Sequence, residues 1–492
     1  MPAAGDEATL QWLEGEVLPA YLPRCRWFAA KARRLARIYL ELVLPLPLAS
    51  TALWMVRARF TDGGSQRYLL PVVCTDPSTD LPQQGRIAET PSAIMADACY
   101  DDRFRRFLFA AMCANEQLAY PQGRLLFQAG RNLRPNSAQL PMQSRLLAVE
   151  QSNTAMMFDL QPSGYFLKLY RRIQQLENPE VELTRYLTEE AGFTSIPTYA
   201  GAIYWKPASG QGSTLAILQG QIQAKTDLWT LWGNCLNEVP TDADLPALVQ
   251  HQAVQLGVRT AAMHRALSAA THQPRLIPEP FHRAYCTLLA ERCRRMLQET
   301  LLTLKKQNHL LSDSARHLAG WLTGQRLQAE SLISGFASAT LHSLRIRIHG
   351  DYHLGQIVTD GNDLTILDFE GEPDRSILQR RIKHSPLKDV AGMLRSFHYR
   401  LCAQILDAGQ ALHESAAISR TLQHRYERLC SLFLHAYKNS NPPEYLLSCP
   451  QEEFDQQLRF HLLEKAIYEL RYELNSRPAW VPIPLQGMVS LL

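Results

Sequence analysis

The groups best suited to chemistry in this chain lie in two short runs, His349-Gly350-Asp351-Tyr352-His353-Leu354-Gly355-Gln356 and Asp368-Phe369-Glu370-Gly371-Glu372-Pro373. Asp351 can accept the proton of an attacking hydroxyl. Gln356 and Asp368 offer oxygens to a cation, and Glu370 would assist the metal or the substrate. Oxygen ligands of this kind suit Mg²⁺, which takes one or two carboxylates and leaves its other positions to water and phosphate. Phosphoryl transfer asks for such a set, because its loose transition state leaves the protein mainly to position groups and neutralise charge. Two other readings use the same residues. His349, Asp351 and His353 could be ordinary polar residues of a buried turn, or the H-x-D-x-H spacing could hold a hydrolytic metal. Gly350 and the paired Asp368/Glu370 favour phosphoryl transfer.

Something must hold these groups together, and the intervening sequence reads as a hairpin. Gln356 to Val358 runs into the turn formers Thr359-Asp360-Gly361-Asn362-Asp363, and Leu364 to Leu367 is an apolar return strand. That places Asp351 on a loop before one strand and Asp368 at the end of the next.

HGDYHLGQ…DFEGEP resembles the signature of bacterial maltokinases, within the wider aminoglycoside-phosphotransferase and kinase-like group (H-G-D-x-H-x-x-N/Q…D-x-E). Other segments are similar to the same family. Arg26-Trp27-Phe28 resembles its cap motif RWFGGKGR, with alanines where the glycines stand. Pro386 to Phe397 is similar to P-L-R-D-V-A-G-M-L-R-S-F, and Arg477 to Leu485 to the ending R-P-x-W-x-x-I-P-L. The resemblance implies an α+β, bilobal protein-kinase-like fold with an extra N-terminal α/β cap subdomain and a mostly helical C-lobe. The expected divisions are 1–140 for the cap and intermediate subdomain, 141–222 for the N-lobe and 223–492 for the C-lobe.

Along the chain, residues 8–22 carry helical spacing. Read alone, Arg24 to Arg34 is a solvated basic helix face. Alternating runs at 38–44, 53–60 and 67–73 predict antiparallel strands, 82–91 a turn-rich stretch, and 93–118 a helix. A small antiparallel lobe follows at 145–150, 155–160 and 165–170. Its connection Gln151-Ser152-Asn153-Thr154 would lie over the ATP phosphates, so Ser152, Asn153 and Thr154 are candidate nucleotide contacts. Asn178-Pro179-Glu180 is a helix start with a capping side chain and proline at the first position. Glu182, one turn in, is the chosen partner for strand residue Lys168. Glu180 is the competitor, its place explained by the helix dipole. Strands at 198–205 and 214–218 lead to a hinge at 219–225, and Asp227 caps the next helix. Helical periodicity dominates 245–338, where His264 reads as structural. Asp389, at a helix start, supports the catalytic loop by resemblance, and Arg375, Arg380, Arg381 and Lys383 read as a solvated surface. Near the end, Tyr468, Glu469 and Tyr472 share a helix face. Tyr472 and Arg477 suit a disaccharide site, and His353 stands beside Asp351 on the substrate side.

Composition excludes several classes. A 46% hydrophobic, 20% charged chain of 492 residues is globular, and a formal charge of +4 calls for neither nucleic acid nor membrane. The ten cysteines are scattered with no C-x-x-C, which fits a reducing cytoplasm better than a zinc site or a disulfide framework. The resulting expectation is an ATP- and Mg²⁺-dependent maltokinase making maltose 1-phosphate. Family analogy adds trehalose synthase as a partner supplying maltose for α-glucan synthesis. A kinase of another sugar or aminosugar is the alternative, with a metal hydrolase or a silent binding protein behind it.

Overall fold

The computed structural model describes residues 7–79, 81–133, 142–147, 152–161, 163–240, 243–372, 375–410, 412, 416–447 and 449–492. It is a mixed α+β chain with its large sheets in the N-terminal part and helices dominating the C-terminal part. Two compact units divide it: residues 1–189 with 197–222, and residues 190–196 with 223–492.

The first unit holds two antiparallel sheets. Strands β1 (Leu35–Pro45), β2 (Thr51–Phe60), β3 (Ser65–Thr75), β4 (Arg86–Thr90) and β5 (Ala93–Asp97) form one, in the order β1-β2-β3-β5-β4. In β2, every residue from Thr51 to Val56 is buried, because both faces of this sheet are covered. Trp27, Phe28, Trp54 and Tyr68 pack on one side. On the other, Leu53, Leu69 and Val73 join Phe104, Leu108 and Phe109 of the helix Asp102–Cys113.

The second sheet comprises β6 (Gln117–Tyr120), β7 (Gly123–Ala129), β8 (Gln143–Leu147), β9 (Thr154–Asp159), β10 (Tyr165–Leu169), β12 (Tyr199–Pro207) and β13 (Ser213–Gly220); the two-residue β11 (Arg172–Ile173) instead pairs with β3. Its order is β6-β7-β12-β13-β10-β9-β8. Phe127, Phe158 and Leu167 reach the same core as the Asp102–Cys113 helix. Between β10 and β11, Arg171 is 1% exposed. Its guanidinium meets Asp97 at 2.5 Å, Thr154 Oγ1 at 2.6 Å and the Trp27 ring at 4.7 Å.

Three sequence expectations change here. Residues 86–90 are a strand rather than part of a turn-rich stretch. Ala93–Asp97 is a strand too, pairing with β3 and burying Ile94 and Ala96 on its inner face, and the helix occupies only Asp102–Cys113. Arg24 to Arg34 is a series of turns with Trp27 and Phe28 buried, not a solvated helix face.

In the second unit β14 (Thr226–Asp227), β17 (Ile357–Thr359) and β18 (Leu364–Ile366) form a three-stranded sheet, and β15 (Glu279–Pro280) pairs with β16 (Leu344–Arg345). The expected hairpin is thus present, with Ile357 opposite Ile366 and Thr359 opposite Leu364. The helix Leu387–Asp407 is buried almost all round, the pattern of a central rather than a surface helix. Against it pack the helices Leu228–Asn237, Ala416–Asn439, Gln451–Ser476 and Pro482–Val489. Phe460, Leu463 and Ile467 of the Gln451–Ser476 helix share a core with Cys293 and Leu297 of the helix Arg283–Gln307, and with Val481 and Leu485 of the C-terminal tail. Asp227 caps its helix as expected, Oδ1 accepting the Thr230 N–H at 2.9 Å.

Candidate active site

The His349–Asp351 loop is held through its backbone amides by the side chain of Asp389, on the helix Leu387–Asp407. One oxygen of Asp389 accepts the His349 N–H at 2.8 Å and the other accepts the Gly350 N–H at 2.9 Å. His264 Nε2 also reaches Asp389, at 3.3 Å, and its Nδ1 is hydrogen-bonded with the Tyr437 hydroxyl at 2.9 Å. Burial works against the Asp389 charge, but His264 and the loop amides outweigh it and hold the carboxyl below its ordinary value. His349 donates from Nε2 to the Leu367 carbonyl at 2.7 Å, and its Nδ1 accepts the Asp351 N–H at 3.3 Å. One imidazole therefore ties the loop to the end of the hairpin. Gly350 has φ +86°, a backbone that a residue with Cβ rarely adopts.

Asp351 emerges from this scaffold about a quarter exposed. Lys465 Nζ stands 3.6 Å from its Oδ1, and His353 Nε2 stands 3.8 Å from its Oδ2. Both distances exceed a hydrogen bond but lie within ion-pair reach. His353 also accepts the Gly355 N–H at 3.1 Å, which fixes the turn leading to Gln356. Burial, with help from Lys465, lowers the His353 pKa, although nearby Asp351 pulls the other way.

Gln356 Nε2 donates to Asp368 Oδ2 at 3.2 Å, leaving the amide oxygen of Gln356 available as a ligand. Asp368 adopts φ +62°, a strained conformation for a residue that is not glycine. Oxygens of Asp368 and Glu370 lie within 4.8 Å of each other. Glu370 is also paired to Arg380 at 3.5 Å. The expected solvated basic surface is not one: Arg380 and Lys383 side chains are 5% and 6% exposed, and Lys383 meets Glu279 at 2.6 Å.

Beside the loop lies a cavity of about 1,100 Å³, lined among others by Gly350, Glu372, Arg375, Lys465, Tyr468 and Tyr472. Tyr472 is thus placed on the cavity. Arg477 is not among the lining residues; its side chain is held by Glu473 at 2.7 Å and by the Trp480 ring at 4.4 Å. Glu469 pairs with Arg395 at 2.7 Å.

In the first unit Lys168, the penultimate residue of β10, is buried and its Nζ meets Glu180 Oε2 at 3.1 Å. Tyr170 donates to the same oxygen at 2.8 Å. The expected choice of Glu182 is corrected: the acid observed on Lys168 is Glu180. The helix begins at Pro179, capped by Asn178 through the Glu180 N–H at 2.9 Å. Its first-turn carboxylate faces β10, whereas Glu182 stands roughly 200° further round the helix. Of the expected nucleotide loop, Gln151 lies outside the described residues. Ser152 is exposed and Asn153 half-buried. Thr154 is buried with its hydroxyl accepting from Arg171, so its side chain anchors the strand rather than projecting toward a ligand.

Sequence reasoning missed Lys465. A lysine one turn before Tyr468 and Glu469 reads as a solvated residue, and only the meeting of this helix with the loop reveals it. Burial disfavours its charge, but Asp351, Glu469 and Glu372 outweigh that and hold its pKa above the ordinary value.

Residues 21–101 match the family model of the maltokinase N-terminal cap domain. A glucosamine kinase of Streptacidiphilus jiangxiensis is 30% identical over 151 residues, 30% of this chain and 30% of that protein. One from Mycolicibacterium smegmatis is 24% identical over 312 residues, 61% of this chain and 68% of that protein. The match thus spans under a third of the first relative's length. A solved glucosamine kinase in complex with glucosamine, ADP and inorganic phosphate superposes with a TM-score of 0.63 at 18% identity, covering 92% of this chain and 94% of that one. The chain therefore carries a segment matching the maltokinase N-terminal cap domain, within a fold shared with a solved glucosamine kinase.

Proposed function

We propose that this protein is an ATP- and Mg²⁺-dependent phosphotransferase acting on a sugar, with maltose as acceptor and maltose 1-phosphate as product. The observation that carries the reading is Asp351: a carboxylate about a quarter exposed, with Lys465 3.6 Å from one oxygen, on a loop locked by Asp389 and a few residues before the Gln356–Asp368 pair. Asp351 orients the anomeric hydroxyl and takes its proton as the oxygen bonds to the terminal phosphorus of ATP, while the bond from that phosphorus to the bridging oxygen breaks and ADP leaves. That hydroxyl is more acidic than an ordinary alcohol, so a modest base suffices. Asp368 and Glu370, with Gln356 Oε1 beside Asp368, would offer Mg²⁺ an oxygen-only donor set of the kind it takes. When bound, the ion supplies charge neutralisation on the ATP phosphates. Lys168, oriented by Glu180, holds phosphate oxygens, with Ser152 and Asn153 as further contacts. Tyr468 and Tyr472 offer apolar faces to sugar rings in a cavity large enough for a disaccharide.

Maltose as acceptor is supported by the DFEGEP and C-terminal motifs together with the cap match. A cytoplasmic setting, with trehalose synthase supplying maltose, belongs to the same proposal. A second reading takes an aminosugar as acceptor, favoured by the glucosamine kinase names of the relatives. ADP release from MgATP should be followed with maltose, glucose, trehalose and glucosamine. Release that depends on maltose supports the first reading, and a wide margin for glucosamine supports the second. Release independent of every sugar defeats both.

A further inference from the structure

The charge arrangement around Asp351 bears on which acceptor the site admits. Four groups face Lys465: Asp351 at 3.6 Å, the Tyr468 ring at 5.1 Å, Glu469 and Glu372. Two of the carboxylates already have guanidinium partners, Glu469 with Arg395 at 2.7 Å and Glu372 with Arg375 at 2.5 Å. A further cation next to a hydroxyl held by Asp351 would have to share the single Asp351 charge with Lys465, because Glu469 and Glu372 are already committed to Arg395 and Arg375. Two unit charges a few ångströms apart in a partly buried site repel strongly.

We propose that Lys465 is the acceptor-selecting residue: its ammonium admits neutral sugars to Asp351 and turns away an acceptor bearing an ammonium on the carbon beside the reacting anomeric hydroxyl. This rests on the reading that Asp351 meets the anomeric hydroxyl. Glucose and glucosamine are the discriminating pair, nearly isosteric and differing by an ammonium in place of the 2-hydroxyl. Lys465 also lines the cavity and can donate to a sugar oxygen there, so removing its charge weakens neutral acceptors modestly while relieving the charged one.

The test uses the full chain, with the acceptor identified by the sugar panel as reporter and glucose and glucosamine as competitors. In the wild type, glucosamine should inhibit about 10- to 100-fold more weakly than glucose. In Lys465→Met that ratio should fall toward one, and in Lys465→Arg, which keeps the charge, it should be retained. The ratio is internal to each preparation, so a smaller folded fraction does not change it. A ratio unchanged in Lys465→Met overturns the role of Lys465 while leaving the kinase reading intact. Glucosamine as the preferred wild-type acceptor overturns it too. Absence of any sugar-dependent turnover in the wild type removes the Asp351 reading and this inference together.

Discussion

The Asp389 carboxylate accepts the backbone N–H of His349 at 2.8 Å, forty residues away in sequence, and shares itself with Gly350 and His264. The geometry of the His349–Asp351 loop is thus set by the buried helix Leu387–Asp407. Asp389→Ala leaves these buried donors without an acceptor, at about 1–3 kcal/mol for each. Denaturant titration should show that loss, along with reduced turnover. The folded-state pKa of Asp389 is depressed below 3.8. Its contribution to stability is therefore complete above that value and lost as pH falls through the lower folded one. Between neutrality and the unfolding edge, wild type and Asp389→Asn should differ by a constant amount, and the gap should narrow only in strong acid. A gap that narrows at neutral pH contradicts the assignment.

Gly392, three residues further along the same helix, lies where an added Cβ would come within 2.7 Å of the Tyr352 carbonyl oxygen. Helix and loop backbones touch there, and only glycine fits. Gly392→Ala should cost about 1–3 kcal/mol through overpacking and lower turnover by displacing Asp351, with a smaller effect on nucleotide affinity. Steady-state kinetics with a melting curve checks this. A variant with wild-type turnover would show that the loop position does not depend on this contact.

Glu180 bridges Lys168 and Tyr170 inside the first unit. Glu180→Gln removes a buried charge-assisted contact worth about 1.5–3 kcal/mol, so the Michaelis constant for ATP should rise about 10- to 100-fold while that for the sugar changes little. An equal rise for both substrates would count against a nucleotide role for Lys168.

Much of this was legible in sequence because it is local. The hairpin between Gln356 and Asp368 is a turn cluster between apolar runs, and the Asn178 cap and the Asp227 cap are spacing rules. What was not legible depends on long-range packing. The choice of Glu180 over Glu182 turns on how a helix is rotated against β10. Ala93–Asp97 became a strand because β3 was there to pair with it. Arg380 and Lys383 looked solvated because their partners Glu370 and Glu279 are set by the fold rather than by helical spacing. Lys465 and Asp351 are more than a hundred residues apart, and no periodicity announces their meeting.

The most direct test of the central claim is Asp351→Asn, assayed for MgATP turnover with the accepted sugar and, separately, for nucleotide binding by titration. The substitution keeps the shape of the loop but removes the base, so turnover should be abolished while the dissociation constant for ATP stays near the wild-type value. Near-normal turnover in Asp351→Asn would contradict the account.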